Sequence, residues 1–200
     1  MSRASAQPTV LIVPGLRDHV AQHWQTLLAE RLEAAGRPVC SVPALGRADL
    51  DCTARVQAIE RAAQAIEGPV VVVAHSGGVV TLAHWARQSE RTVLGALLAA
   101  PPDFEAPMPE GYPTLAELDA AGWLPVPRER LPFPSIVAAS RNDPLARFER
   151  VADFARDWGS RIVDLGPVGH LNPASGFGPW PRAESLIDEL AAAASAVHHD

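Results

Sequence analysis

The segment from Pro69 to Arg87, PVVVVAHSGGVVTLAHWAR, constrains the fold more than any other part of the chain. Its run of β-branched residues, Val70 to Val73, predicts a strand that is buried on both faces. After the sequence AHSGG, apolar residues recur at helical spacing, at Val80, Leu82, Ala83 and Ala86. The segment therefore predicts a strand, a tight turn and a helix.

Ser76 lies in this turn between small residues. In a nucleophile elbow, a serine at this place has a strained backbone, and its hydroxyl is exposed at the end of the sheet. Small neighbours are needed there because the strand and helix backbones nearly touch. The G-x-S-x-G pattern of such turns is matched with Ala74 at the first glycine position. Ser76 is predicted to be a nucleophile, and the alternative is an ordinary turn in which it caps the helix.

Strand and helix patterns alternate along the rest of the chain. Short apolar runs predict strands at residues 9–13, 39–42, 93–99, 135–139 and 161–165, and amphipathic stretches between them predict helices, one of them capped by Thr53. This alternation indicates an α/β fold with a mostly parallel sheet and helices on both faces. At 200 residues the chain suits one domain over residues 1–200, with 1–8 and 195–200 expected to fray.

Three residues with complementary chemistry follow predicted strands: Ser76, Asp143 and His170. Parallel strands present their carboxyl ends at one edge of the sheet, so these side chains are expected to meet there. A serine hydroxyl needs an imidazole to accept its proton and a carboxylate to hold that imidazole in the right tautomer. We therefore predict His170 as the base and Asp143 as the orienting acid.

Other histidines and carboxylates could fill the same roles. Asp103 also follows a predicted strand and is the alternative acid, whereas Asp164 lies within a strand. His75 and His84 are expected to serve packing. His19 and His23 are spaced to share a metal on a helix, but a third ligand is not apparent. We predict no metal site and no cofactor.

An acyl-transfer site also needs donors for an oxyanion. The backbone N–H of Gly77, directly after the nucleophile, is predicted to supply one, and the loop after the first strand the other, at Leu16 or Arg17. The proline-rich residues 101–134 are expected to cross the surface of the domain. Arg17 and Trp123 are the predicted substrate-binding residues. Trp123 and further members of this surface excursion, Phe104, Met108, Tyr112 and Leu124, could line a substrate entrance. The alternative is that they hold the excursion against the body of the domain.

Charge and composition exclude several classes of function. The net charge is −6 and no run of basic residues forms a stripe, so nucleic acid is not an expected partner. No apolar run approaches the ~20 residues that span a bilayer, and no signal-peptide pattern is present at residues 1–7. Only Cys40 and Cys52 occur, without metal or disulfide spacing. We expect a cytoplasmic protein that does not associate with membranes.

Six motifs resemble those of the small α/β-hydrolases of the retinoblastoma-binding-protein-9-like, YdeN-like serine hydrolase family. They are VLIVPGL at 10–16, HWQ at 23–25, VVAHSGG at 72–78, APPD at 100–103, SRNDP at 140–144 and GHLNPASGFGPWP at 169–181. The resemblance implies that Ser76, Asp143 and His170 are the triad, on a compact α/β-hydrolase fold without a large cap domain. Two departures are Gly77, where leucine is more usual, and the polar Arg17-Asp18-His19 in a loop that is commonly glycine-rich.

Together these observations predict a serine hydrolase that cleaves small carboxylic esters or amides through an acyl-enzyme at Ser76. A shallow, open site and a preference for short acyl chains are expected. One alternative is a protein-interaction module without catalysis, because some members of the family resembled are described by a binding partner. Another is an acyltransferase that uses the same residues.

Overall fold

A computed structural model describes residues 7–17 and 20–197, with side chains through residue 193. Six strands, β1 to β6, alternate with helices. The strands are Thr9–Val13, Val39–Ser41, Val70–His75, Gly95–Ala99, Ser135–Ala139 and Arg161–Asp164. The helices α1 to α6 are Trp24–Ala34, Cys52–Gln64, Gly77–Ala86, Leu115–Ala120, Phe148–Trp158 and Arg182–Val197.

The strands form one sheet in the order β2-β1-β3-β4-β5-β6, and every neighbouring pair is parallel. Every residue of β3, β4 and β5 is buried. The strand order reverses between β1 and β3, since the chain first adds β2 on one side of β1 and then β3 on the other. The carboxyl ends of β1 and β3 therefore flank the switch point at which α/β sheets bind ligands.

Helices cover both faces of the sheet, as predicted. On one face, α1 and α6 pack Trp24, Leu28, Leu32 and Ile187 against alternate strand residues. On the other, α2, α3 and α5 contribute Ile59, Leu82, Trp85 and Phe154. The α/β architecture with a parallel sheet is confirmed.

Local details differ from the sequence predictions at several element ends. Helix α2 is capped by Asp51 and not by Thr53: the Asp51 carboxylate accepts from the N–H groups of Thr53, at 2.8 Å, and Ala54, at 3.3 Å. Strand β4 begins at Gly95, two residues later than predicted. Helix α6 continues to Val197, into the segment expected to fray, and residues 1–6 and 198–200 lie outside the described residues.

The excursion over residues 101–134 carries the short helix α4 and is tied to the domain at several points. Arg128 forms ion pairs with Glu105, at 2.8 Å, and with Asp157 of α5, at 2.9 Å. Arg150 of α5 also pairs with Glu105. The Trp123 indole is fully buried, and its Nε1–H donates to the Leu50 carbonyl at 2.7 Å. The excursion is thus a fixed part of the domain surface.

No helix within the described residues is both long and apolar enough to cross a bilayer.

Candidate active site

Ser76 occupies the turn between β3 and α3 with a strained backbone, φ 54° and ψ −129°. A positive φ is uncommon for residues other than glycine and costs about 1–3 kcal/mol, which the surrounding structure must supply. The Ser76 N–H donates to the Ala99 carbonyl at 2.9 Å, which holds the turn against β4. The serine hydroxyl makes no capping bond to α3, so the structure does not support the alternative of an ordinary helix cap.

Glycines let the start of α3 approach the end of β1. A Cβ at Gly78 would lie 2.4 Å from the Pro14 carbonyl oxygen, and a Cβ at Gly15 would lie 3.3 Å from the Ser76 Cβ. A contact of 2.4 Å to backbone cannot be relieved by a side-chain rotation. Gly78 is therefore required for the close packing that presents Ser76 at the switch point.

The side chains of Ser76, His170 and Asp143 form a continuous chain of hydrogen bonds. The Ser76 hydroxyl lies 2.7 Å from His170 Nε2, and His170 Nδ1 lies 2.8 and 3.0 Å from the two carboxylate oxygens of Asp143. The Asp143 and His170 side chains are only 2% and 5% exposed. This geometry assigns the proton to Nδ1 and leaves Nε2 to accept from the serine hydroxyl.

Hydrogen bonds join the loop after β5, which carries Asp143, to the loop after β6, which carries His170. The Asn142 side-chain oxygen accepts from the Gly169 N–H at 2.7 Å, and the Ser140 hydroxyl accepts from the Val168 N–H at 3.2 Å. The Asp143 carboxylate also accepts from the Leu145 N–H at 2.8 Å. These bonds orient the loop that carries His170. Sequence reasoning missed Asn142 and Ser140, although both lie in the motif that supplied Asp143.

His75 makes a second connection between nucleophile and base. Its Nε2–H donates to the His170 backbone carbonyl at 2.9 Å, and its ring lies between those of His23 and His170, at 4.7 and 5.1 Å. Burial lowers the pKa of His75 well below the usual value, and the nearby His170 and His23 add to this effect. The residue predicted to serve packing thus holds the loop of the base as a neutral donor.

The predicted oxyanion donors lie on the two sides of the switch point. Gly77 is the first residue of α3, so its N–H has no partner within the helix. No described residue accepts from the Leu16 N–H. Their location is compatible with the predicted role, which stays a prediction.

Arg55, a residue that sequence reasoning missed, binds the Leu16 loop from behind. The residue is 7% exposed, and its guanidinium donates to the carbonyls of Asp49 at 2.6 Å, Gly46 at 2.8 Å and Leu16 at 3.5 Å. Burial lowers the pKa of Arg55, and Asp49 opposes that shift. The sequence signal for a buried arginine was its place next to Val56, which lies on the apolar side of the predicted helix.

Ser76 and His170 line a cavity of about 890 Å³, a volume typical of small-molecule sites. Phe104 and Met108 of the excursion and the loop after β2 contribute to its lining. The expectation of a shallow, open site stays a prediction. Arg17 and Tyr112 also line the cavity.

The prediction that Trp123 binds substrate is wrong, and Trp123 and Leu124 instead follow the alternative, that they hold the excursion against the domain. Neither residue lines the cavity: Trp123 is fully buried against Phe104, with the ring centroids 5.2 Å apart, and Leu124 packs against the core. The Trp123 backbone carbonyl accepts a hydrogen bond from His84 Nε2–H at 3.1 Å, so Trp123 and His84 hold the excursion against the domain.

The alternative residues have other partners. Asp103 pairs with Arg150 at 3.2 Å, and Asp164 pairs with Arg141. His23 caps α1 by accepting from the Gln25 N–H at 3.2 Å, while His19 lies outside the described residues. Within the described part of the chain, no group of three or more His, Cys, Asp or Glu side chains could hold a metal ion.

Comparison with known proteins was consistent with this geometry. A family model described as serine hydrolase matches residues 10–189. Among curated proteins, no sequence matches the chain.

Solved structures resemble the whole chain. A YdeN-like hydrolase from Pectobacterium atrosepticum has a TM-score of 0.79 at 28% identity, over 95% of this chain and 94% of that chain. The ydeN gene product of B. subtilis gives 0.70 at 17% identity, over 92% and 98%. Est1E from Butyrivibrio proteoclasticus, solved with ferulic acid bound, gives 0.65 at 12% identity, over 92% and 86%. The two less identical structures show likeness of fold alone. The resemblance to YdeN-like hydrolases and the α/β-hydrolase fold are confirmed.

Proposed function

Because the chain belongs to the serine hydrolase family, we propose that it cleaves small carboxylic esters or amides through an acyl-enzyme at Ser76. The observation that carries the proposal is the buried chain of hydrogen bonds from the Ser76 hydroxyl through His170 to Asp143, at 2.7 and 2.8 Å. Each of the three side chains has the hydrogen-bond partner that its proposed catalytic role requires.

In the proposed mechanism, His170 Nε2 takes the hydroxyl proton as Ser76 Oγ attacks the substrate carbonyl carbon. The Asp143 carboxylate stabilises the imidazolium that forms, and the N–H groups of Gly77 and Leu16 donate to the oxyanion. His170 then gives its proton to the leaving alcohol or amine, which leaves Ser76 acylated. Water, deprotonated by His170, attacks the acyl carbon, and the acid is released with the serine restored.

The N-terminus of α3 adds a fixed positive potential at the reacting atoms. Gly77 and Gly78 begin this helix directly after the nucleophile, and aligned peptide dipoles are equivalent to about half a positive charge at such an end. The negative charge that develops on the carbonyl oxygen would therefore be stabilised without any movement of the backbone. This location supports Gly77 as the principal donor.

The test is labelling with a fluorophosphonate, which reacts with activated serines, followed by mass spectrometry to locate the adduct. We expect labelling at Ser76, none in Ser76→Ala, and labelling slowed by at least ~100-fold in His170→Ala. Ser89→Ala, which changes a serine outside the cavity, is the matched control. Failure to label the folded protein would contradict the proposal and favour a protein-interaction module.

Product analysis separates hydrolysis from acyl transfer. With an ester substrate and added amine or alcohol, a hydrolase releases the free acid as the main product, whereas a transferase gives the new amide or ester. Both reactions share the same residues. The proposal assigns no cofactor, nucleic acid or membrane to the reaction, and a cytoplasmic location stays a prediction from the sequence.

A further inference from the structure

The cavity lining includes two arginines whose guanidinium groups have no acidic partner among the described residues. Arg17 and Arg47 both line the cavity and are exposed, and neither forms an ion pair within the described part of the chain. Two carboxylates share the lining, Glu30 on α1 and Glu117 on α4. Glu117 is already bonded to the Thr114 N–H and hydroxyl, both at 2.8 Å.

Arg17 is held over an aromatic ring. Its guanidinium carbon lies 4.6 Å from the centroid of the Tyr112 ring, and Tyr112 lines the same cavity. Stacking occupies the face of a guanidinium and leaves the N–H groups at its edge able to donate. Tyr112 therefore restricts the side chain without using its hydrogen-bond donors.

The loops that carry the two arginines are joined by a third. The buried Arg55 guanidinium donates to the Leu16 carbonyl, next to Arg17, and to the Gly46 carbonyl, next to Arg47. One guanidinium can reach both carbonyls only if the two loops converge. Arg17 and Arg47 thus belong to the same end of the cavity, and Arg17 directly follows the predicted oxyanion donor Leu16.

We propose that this end of the cavity binds a carboxylate of the substrate, so that the enzyme cleaves esters or amides that bear a free carboxylate. This inference rests on the proposed function and names the substrate class. Arginine suits the role because its planar donors match the two oxygens of a carboxylate. The carboxylate stays intact during the reaction: Ser76 attacks the ester carbonyl, and hydrolysis of a monoester releases a dicarboxylic acid and an alcohol.

A matched pair of substrates tests the proposal. The mono-4-nitrophenyl ester of adipic acid has a free carboxylate, and its methyl ester has the same chain without the charge. We expect kcat/KM to be at least ~10-fold higher for the anionic ester at low salt, and the ratio to fall as salt is added. An equal or lower kcat/KM for the anionic ester would overturn the proposal.

Variants locate the effect. Arg17→Gln and Arg47→Gln are each expected to lower kcat/KM for the anionic ester, mainly through KM, by a factor ~10-fold greater than the loss for the neutral ester. Arg61→Gln removes an exposed arginine of α2 that does not line the cavity, and it should leave kcat/KM unchanged for both esters. Equal losses on both esters in the Arg17 and Arg47 variants would contradict a role in binding the carboxylate.

A binding measurement keeps this proposal separate from the proposed function. Calorimetry with adipate and the Ser76→Ala variant requires no turnover. Binding that is lost in Ser76→Ala/Arg17→Gln supports the site even if neither ester is cleaved, whereas absence of adipate binding overturns it. Turnover of the neutral ester with labelling at Ser76, but without adipate binding, would uphold the hydrolase and reject the carboxylate site.

Discussion

The Leu16 side chain occupies the space that a side chain at Gly77 would need: a Cβ at residue 77 would lie 2.6 Å from Leu16 Cγ and 2.9 Å from Leu16 Cδ2. Leucine is more usual at this position in the family that the sequence resembles. In this chain the bulk beside the nucleophile comes from the opposite loop. Residue 77 must therefore lack a side chain as long as the Leu16 side chain keeps this position.

This constraint predicts that the two positions are coupled. Gly77→Ala should displace Leu16 and lower kcat/KM by about tenfold or more, since both residues carry predicted oxyanion donors. Adding Leu16→Ala removes the clash and should recover part of the loss. Neutral-ester kinetics of the single and double variants measure the coupling, and strictly additive losses would show that the two side chains act independently.

Stability should fall in mild acid because of His75. The pKa of this buried histidine lies well below the usual value, so the unfolded chain takes up the proton first. The contribution of His75 to the free energy of unfolding is complete above about pH 6.5. It is lost as the pH falls towards the pKa of His75 in the folded protein, by up to ~1.4 kcal/mol per pH unit. Burial also lowers the pKa of His84, so this residue adds to the loss of stability in acid.

Chemical denaturation between pH 5 and 8 measures this dependence. His75→Gln, which keeps a donor near the His170 carbonyl, should give a shallower loss of stability below pH 6.5 than the parent protein. His84→Gln serves as the comparison, because His84 is less buried than His75. An identical pH dependence for His75→Gln and the parent would mean that His75 titrates alike in the folded and unfolded chains.

Arg55 is expected to affect the rate as well as the stability. Arg55→Met leaves three backbone carbonyls without their donor, which should cost about 1–3 kcal/mol of unfolding free energy. Because the Leu16 loop loses its support, the rate of fluorophosphonate labelling at Ser76 should also fall by about tenfold, measured at a temperature where the variant is fully folded. Arg61→Met, on an exposed part of the same helix, is the control. Unchanged labelling would limit Arg55 to a structural role.

The two cysteines should differ in reactivity. Burial raises the pKa of the Cys52 thiol to about 12, with Asp51 adding to the shift, and the residue is 3% exposed. Cys40 is half-buried. Alkylation of the native protein with iodoacetamide at pH 8, followed by mass spectrometry, should modify Cys40 and leave Cys52 unmodified until denaturant is added. Rapid modification of native Cys52 would contradict this assignment.

Sequence patterns predicted the parts of this molecule that local interactions specify. The run from Val70 to Val73, the small residues around Ser76 and the strand-to-helix alternation are each readable within a few residues. The positions of Asp143 and His170 followed from the rule that parallel strands end at one edge of a sheet. These predictions required only element types and chain order.

Contacts between distant loops could not be predicted in this way. The buried Trp123 indole donates to a carbonyl 73 residues earlier in the chain, at Leu50, and the lining of the cavity depends on how the excursion packs. Arg55 bonds carbonyls whose convergence exists only in the folded chain. Such features arise from tertiary placement, for which a single sequence carries no periodic signal.

The excursion over residues 101–134 determines how a substrate reaches Ser76. Its ion pairs through Arg128 and its buried Trp123 hold it against the domain. Ser76 is partly exposed in this arrangement, so we expect substrate to enter without movement of the excursion. Lipases that must open a lid become active at an oil–water boundary. We expect the opposite here: the rate should follow the concentration of dissolved ester and show no jump when the ester begins to form micelles.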